Sequence, residues 1–164
     1  MTRRSILAAI ALLASAAPAM ARDSLGMFEG WAAFRDPATP RCYAIAAAQP
    51  SGLQRDYQPY ADVAIWPRRG VYGQVHFRLS RRLAPNAAIT LSMGGHRFAL
   101  TGGGGDAWAA DKRMDAAIVA GMRSARSMTV SARDAAGRGF TNTWQLAGAA
   151  TAMDAAAIGC ARLR

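Results

Sequence analysis

The chain has 164 residues, 20 lysines and arginines against 10 aspartates and glutamates, and a formal charge of +10. That length makes one domain with its own hydrophobic core the expected organisation. The charge favours solubility and attraction to anionic partners, while basic runs no longer than two residues exclude a dedicated polybasic tract.

In chain order, the first signal is an export leader. Arg3 and Arg4 precede an apolar stretch over 6–17, and Ala19-Met20-Ala21 supplies the small-x-small pattern of signal-peptidase cleavage. Cleavage after Ala21 is expected, with 1–21 as signal peptide. About a dozen apolar residues is too few for a bilayer-spanning helix, which takes about 20, so no transmembrane anchor is expected after cleavage. Thr2-Arg3-Arg4-Ser5 also has a twin-arginine form, which leaves the export route open. Removing 21 residues from 164 leaves 143, read as a single domain over 22–164; losing Arg3 and Arg4 with no acid takes the charge from +10 to +8. The expected location is periplasmic or secreted, where nucleic acid is the least expected of the anionic partners.

The stretch 27–34, MFEGWAAF, has the content of a first strand, and DPATP (36–40) reads as a turn. A second strand is expected over 41–48, a polar loop over 49–60, and a third strand over 61–66 ending at the turn PRRG (67–70). In 71–80, Val71, Gly73, Val75, Phe77 and Leu79 alternate with Tyr72, Gln74, His76, Arg78 and Ser80, the period of a half-buried strand. Strands 88–93 and 96–101 flank Gly94-Gly95, a hairpin signal that sets Leu91 opposite Phe98 and Ile89 opposite Leu100. GGGG (102–105) reads as a flexible turn. A short helix near 111–125 is expected, with Asp111 as N-cap and Met114, Ile118, Gly121 and Met122 on one stripe. Strands 128–134 and 140–146 form a second hairpin, and an alanine-rich helix follows with Met153, Ala156, Ala157 and Cys160 on one face. Many short strands with two late helices indicate a mainly β fold, an antiparallel β-sandwich.

An oxidising compartment makes one bridge between Cys42 and Cys160 the expected use of the two cysteines. Closing a loop of 118 residues is worth roughly 5 kcal/mol on the chain-entropy relation. A nucleophilic thiol would need a nearby histidine, and a zinc site would need about four ligands; the two cysteines and two histidines show no short CxxC or HxxxH spacing.

No acid, base or nucleophile set points to catalysis, and no cofactor is implied. Tyr72, Gln74, His76 and Arg78 share a predicted polar strand face, which lines either a groove for a sugar or acidic group or a plain solvated surface. The pairs Arg68-Arg69 and Arg81-Arg82 are candidate anion-binding groups with Arg78, placed at opposite ends of strand 71–80. His96 shares a face with Phe98 and Leu100, which predicts a partly buried, hydrogen-bonded ring. GGGG lacks the lysine and serine of a phosphate loop. Trp31, Trp66, Trp108 and Trp144 read as core or sheet-packing groups before a sugar-stacking platform.

Taken in order, GMFEGWAAFRD, RCYAIA, AWAADKRMDAAIVAGMRSARSMTVSARDAAGR and WQLAGAATAMDAA followed by a cysteine resemble the invasion-associated locus B family of bacterial envelope proteins. The resemblance covers most of the chain after the leader. It implies an exported, immunoglobulin-like β-sandwich without an established catalytic site, linked by name to host-cell invasion. Family members often carry a further cysteine just after the early tryptophan; Phe34-Arg35 stands there in this chain. The expected function is therefore non-enzymatic binding of an anionic envelope or host-surface polymer, or of another envelope protein, through a basic face. The alternatives are a hydrolase-like periplasmic enzyme and a purely structural envelope protein. The exported protein is expected to begin at Arg22; an intact mass that includes 1–21 contradicts this.

Overall fold

Alternation of apolar and polar residues builds most of this molecule. The computed structural model describes residues 22–52 and 54–161; the expected export signal over 1–21 lies outside the described residues. The strands are β1 (Asp23–Phe28), β2 (Trp31–Asp36), β3 (Arg41–Ala47), β4 (Tyr60–Trp66), β5 (Val71–Arg78), β6 (Ile89–Met93), β7 (His96–Gly103), β8 (Asp106–Trp108), β9 (Ser127–Arg133) and β10 (Gly139–Gln145). Two helices, α1 (Lys112–Met122) and α2 (Ala149–Cys160), flank the last hairpin.

The strands form one antiparallel sheet in the order β1-β2-β3-β4-β5-β8-β7-β6-β9-β10. β7 changes partner along its length: His96 to Leu100 pair with β6, and Thr101 to Gly103 pair with β8. The sheet bends across this handover until its two halves face each other. Phe77 of β5 packs on Trp144 of β10 with ring centroids 5.4 Å apart, and both side chains are fully buried. The return is fastened at its margin. Trp31 Nε1 donates to the Gln145 carbonyl at 2.9 Å, and Gln49 N to the Thr143 carbonyl at 2.8 Å. The architecture is thus mainly β and sandwich-like.

Each helix closes one opening. α2 buries Ala149, Ala152, Met153, Ala156 and Cys160 over the small residues Ala33, Cys42, Ala44 and Ala46 of β2 and β3, all in the same core. Alanine against alanine allows close approach of helix and sheet, and the Cys42–Cys160 disulfide locks it, with Cα atoms 5.7 Å apart. α1 starts as expected, with Asp111 Oδ1 accepting from Met114 N at 2.8 Å. It buries Ile118 and Met122. Because β8 pairs only with His76 to Arg78, the earlier part of β5 lacks a strand there, and Asp115 Oδ1 accepts from Val75 N at 2.8 Å.

Three expectations need correction. The single strand over 27–34 is a hairpin, turning at Glu29-Gly30 with Glu29 at φ 52°. GGGG is not all turn: Gly102 and Gly103 end β7, and only Gly104-Gly105 turns the chain back into β8. Ala157 is exposed, and Ala149 and Ala152 take up the buried stripe of α2. The hairpin registers Leu91↔Phe98 and Ile89↔Leu100 are as expected.

The disulfide ties the end of α2 covalently to β3. Protein denatured without reductant is expected to show no thiol reactivity, and reduction should lower unfolding stability by roughly 2–5 kcal/mol, read by denaturant titration with and without reductant.

Candidate functional site

The outward face of β2 to β5 and β8 gathers the side chains with the richest chemistry. Register explains why. Tyr60 pairs with Arg78 and Arg78 with Asp106; Asp62 pairs with His76 and His76 with Trp108. Residues directly opposite in antiparallel strands project from the same face, so two rows of three are aligned across β4, β5 and β8.

His76 sits at the centre. Its Nδ1 lies 2.7 Å from Asp62 Oδ2 and its Nε2 3.1 Å from Asp106 Oδ1. Arg78 Nη1 donates to the other Asp106 oxygen at 2.6 Å. With both nitrogens facing carboxylates, the ring serves both as a donor only when protonated. Burial pulls the His76 pKa down, but the hydrogen bonds and charges of Asp62 and Asp106 outweigh it and the pKa is raised above its ordinary value of 6.5. Protonated, the imidazolium and Arg78 balance the two aspartates, so this cluster is close to neutral.

Aromatic rings surround these charges. Trp108 stacks on His76 with centroids 5.1 Å apart and planes at 27°, while Tyr60 meets the same ring edge-on at 5.6 Å. The Arg78 guanidinium lies 3.9 Å from the Tyr57 ring centroid. Tyr57 in turn packs where a Cβ on Gly105 would overlap it. Trp108 keeps 38% of its surface exposed, so the platform has an open ring. Burial, then the nearby aspartates, raises the Tyr60 pKa.

The face continues to a second cluster at the far end of β4, four residues or about 13 Å from Asp62. The Arg41 guanidinium lies 4.8 Å from the Tyr43 ring and 5.3 Å from Trp66, and Arg69 lies 4.8 Å from Trp66. These distances fall within the roughly 6 Å reach of cation–π attraction. Phe34 packs on Tyr43 at 5.6 Å.

The expected site residues divide. His76 and Arg78 are together, and Gln74 is exposed beside them along β5. Tyr72 is not on this face: Ala64 pairs with Gln74 but Ile65 with Tyr72, so Gly73 is an extra residue in β5. At φ 85° it occupies left-handed backbone suited to glycine. The bulge turns Tyr72 to the α2 side, where it shares a small pocket with Ile65, Ala157 and Cys160. Arg68 and Arg69 form a 3-10 turn after Trp66, remote from Arg81 and Arg82. Arg81 is a structural clamp, donating to the Gln54 carbonyl at 2.7 Å and to the buried Asp134 at 3.0 Å. Arg82 is exposed, and its pKa is raised by a hydrogen bond to Tyr57. His96 is exposed rather than partly buried, because it opens β7 beside the hairpin turn. Trp31 and Trp144 are core groups as expected, whereas Trp66 and Trp108 lie on the outer face.

Sequence reasoning passed over Asp62, Asp106, Tyr57 and Tyr60. Period-two counting from Val63 places Asp62 and Tyr60 on the polar side. Asp106 needed the short β8 to be recognised as a strand. Both His76 nitrogens face carboxylate oxygens, and among the described residues no group of three or more His, Cys, Asp or Glu side chains is placed to hold a metal ion.

A histidine whose folded pKa is raised stabilises most below its unfolded value and loses that contribution as pH rises through the folded value. Stability is therefore expected to fall from pH 6 towards pH 9. His76→Gln should cost about 2 kcal/mol at pH 6, the scale of hydrogen bonds to charged groups, and should flatten the dependence; denaturant unfolding across this range checks both. No protein-family model, curated protein or solved structure matches this chain.

Proposed function

We propose that this protein is an exported, non-enzymatic binding module that engages an anionic envelope or host-surface polymer on the outer face of β2 to β5 and β8. The observation that carries the reading is the half-exposed Trp108 ring stacked on a clamped His76. It is a rigid aromatic platform beside polar groups, set on strands rather than on a loop. Such rings stack on flat apolar surfaces such as sugar faces, while neighbouring donors give orientation. The disulfide and the absence, among the described residues, of a helix long and apolar enough to cross a membrane are compatible with export.

The resemblance to invasion-associated locus B proteins and an immunoglobulin-like strand arrangement belong to the same proposal. The sandwich-like sheet and the order of the Trp31, Cys42-Tyr43 and Cys160 elements support them. The basic face is relocated. Arg78 is matched by Asp106 and Arg81 by Asp134, so attraction to an anion falls to Arg68 and Arg69 at one end and Arg82 at the other.

Binding to lipopolysaccharide or a heparin-like polymer should weaken as salt rises from 0.01 to 0.1 M, where the Debye length shrinks from about 30 Å to about 10 Å. Trp108→Ala should weaken binding on the order of tenfold, and Tyr72→Ala, on the opposite face, should not. Absence of binding at low salt, or equal loss in both variants, contradicts the proposal.

A further inference from the structure

At the far end of the same face a small pocket of about 120 Å³ is lined by Thr39, Pro40, Trp66, Arg68 and Arg69. It is smaller than the roughly 300 Å³ at which pockets for drug-sized ligands begin, and so suits a single compact group. Its lining residues include two arginines, a threonine and a tryptophan, and no acid. Arg68 and Arg69 are exposed and have no carboxylate partner among the described residues. Arg22, Arg35, Arg41, Arg78, Arg81, Arg123 and Arg138 all have one. Asp36, three residues before the lining Thr39, accepts from Thr39 N at 3.2 Å and faces Arg22 and Arg41.

Two further features make these cations more than a solvated pair. Arg69 is positioned by stacking on Trp66, which orients a guanidinium without using its N–H donors. Trp66 Nε1 is shielded from solvent and donates to nothing, although indole can only donate and an unmet buried donor is costly. We propose that this pocket binds a tetrahedral oxyanion ester, the phosphate or sulfate group of the polymer recognised by the same face. Arg68 and Arg69 hold its oxygens, and a swing of the exposed Arg69 side chain lets one oxygen accept from Trp66 Nε1. The inference rests on the binding-module reading, and names the group that reading leaves open.

The test follows the indole N–H resonance of Trp66, assigned with Trp66→Phe, during titration with inorganic phosphate, inorganic sulfate and chloride at matched ionic strength. Phosphate or sulfate should shift it and chloride should not. Arg68→Ala with Arg69→Ala should weaken the response about tenfold or more, as expected for lost charge-assisted hydrogen bonds, while Arg97→Ala with Arg113→Ala leaves it unchanged. If the paired variant is damaged, Arg68→Ala alone and the Thr39 amide resonance give the same reading. Glycerol phosphate and a sulfated heparin disaccharide then distinguish the two ester sources. A resonance unmoved by either oxyanion, or moved equally in the paired variant, overturns the pocket. Polymer binding with Trp66 unmoved overturns the pocket alone, whereas a phosphate shift without polymer binding supports the pocket and overturns the module.

Discussion

Trp144 against Phe77 is the contact on which the remaining architecture depends. It joins the last strand to the middle of the first half-sheet, and so turns a long bent sheet into two facing layers. The inner positions of the second half, Ile89, Leu91, Met93, Met128, Val130 and Phe140, find their burial only once that closure exists. The outer positions of the same strands carry Thr90, Ser92, Thr129, Ser131, Thr141 and Thr143, and solvate the back of the layer. Trp144 Nε1 has no partner in this core. The closure therefore stabilises through apolar area and ring packing, and tolerates one unmet donor.

A second joint keeps the layers in register at their shared end. Asp134, only 4% exposed, accepts from the backbone of Ala136 and Arg138 and from the side chains of Arg81 and Arg138. Burial pushes its pKa up, but the Arg138 and Ala136 N–H groups and the Arg138 guanidinium outweigh burial and hold it below the usual carboxylate range. It stays ionised in the neutral range and loses its stabilising effect as pH falls through its lowered folded value. Ser80, one residue from Arg81, donates its backbone N–H to Asn142 Oδ1 at 2.9 Å. Buried polar groups here set alignment, where the surrounding apolar contacts alone would permit sliding.

The mainly β fold, the Gly94-Gly95 hairpin, the Asp111 cap and the Cys42–Cys160 pairing were legible because each rests on local chemistry or on having one available partner. The platform was only half legible. Alternation placed His76 and Arg78 on a polar face, but their partners come from strands 14 and 28 to 30 residues away, and no local pattern encodes that pairing. Strict alternation also misplaced Tyr72. A glycine inside a strand often marks a bulge, and Gly73 is where the parity of β5 changes. Trp108 was hidden by β8 itself, three residues between a glycine tract and a helix, too short to show a period.

The bridge between Cys42 and Cys160 also orders events in time. At a synthesis rate of about 5–20 residues per second, the 118 residues between them separate the appearance of the two thiols by roughly 6–24 s. During that interval the small-residue surface of β2 and β3 has no α2 to cover it, and Cys42 has no partner within its own chain. Cys160 ends the last helix, so the cross-link can close only after β1 to β10 have all been made. Once closed, it holds that helix against the strand made before most of the sheet.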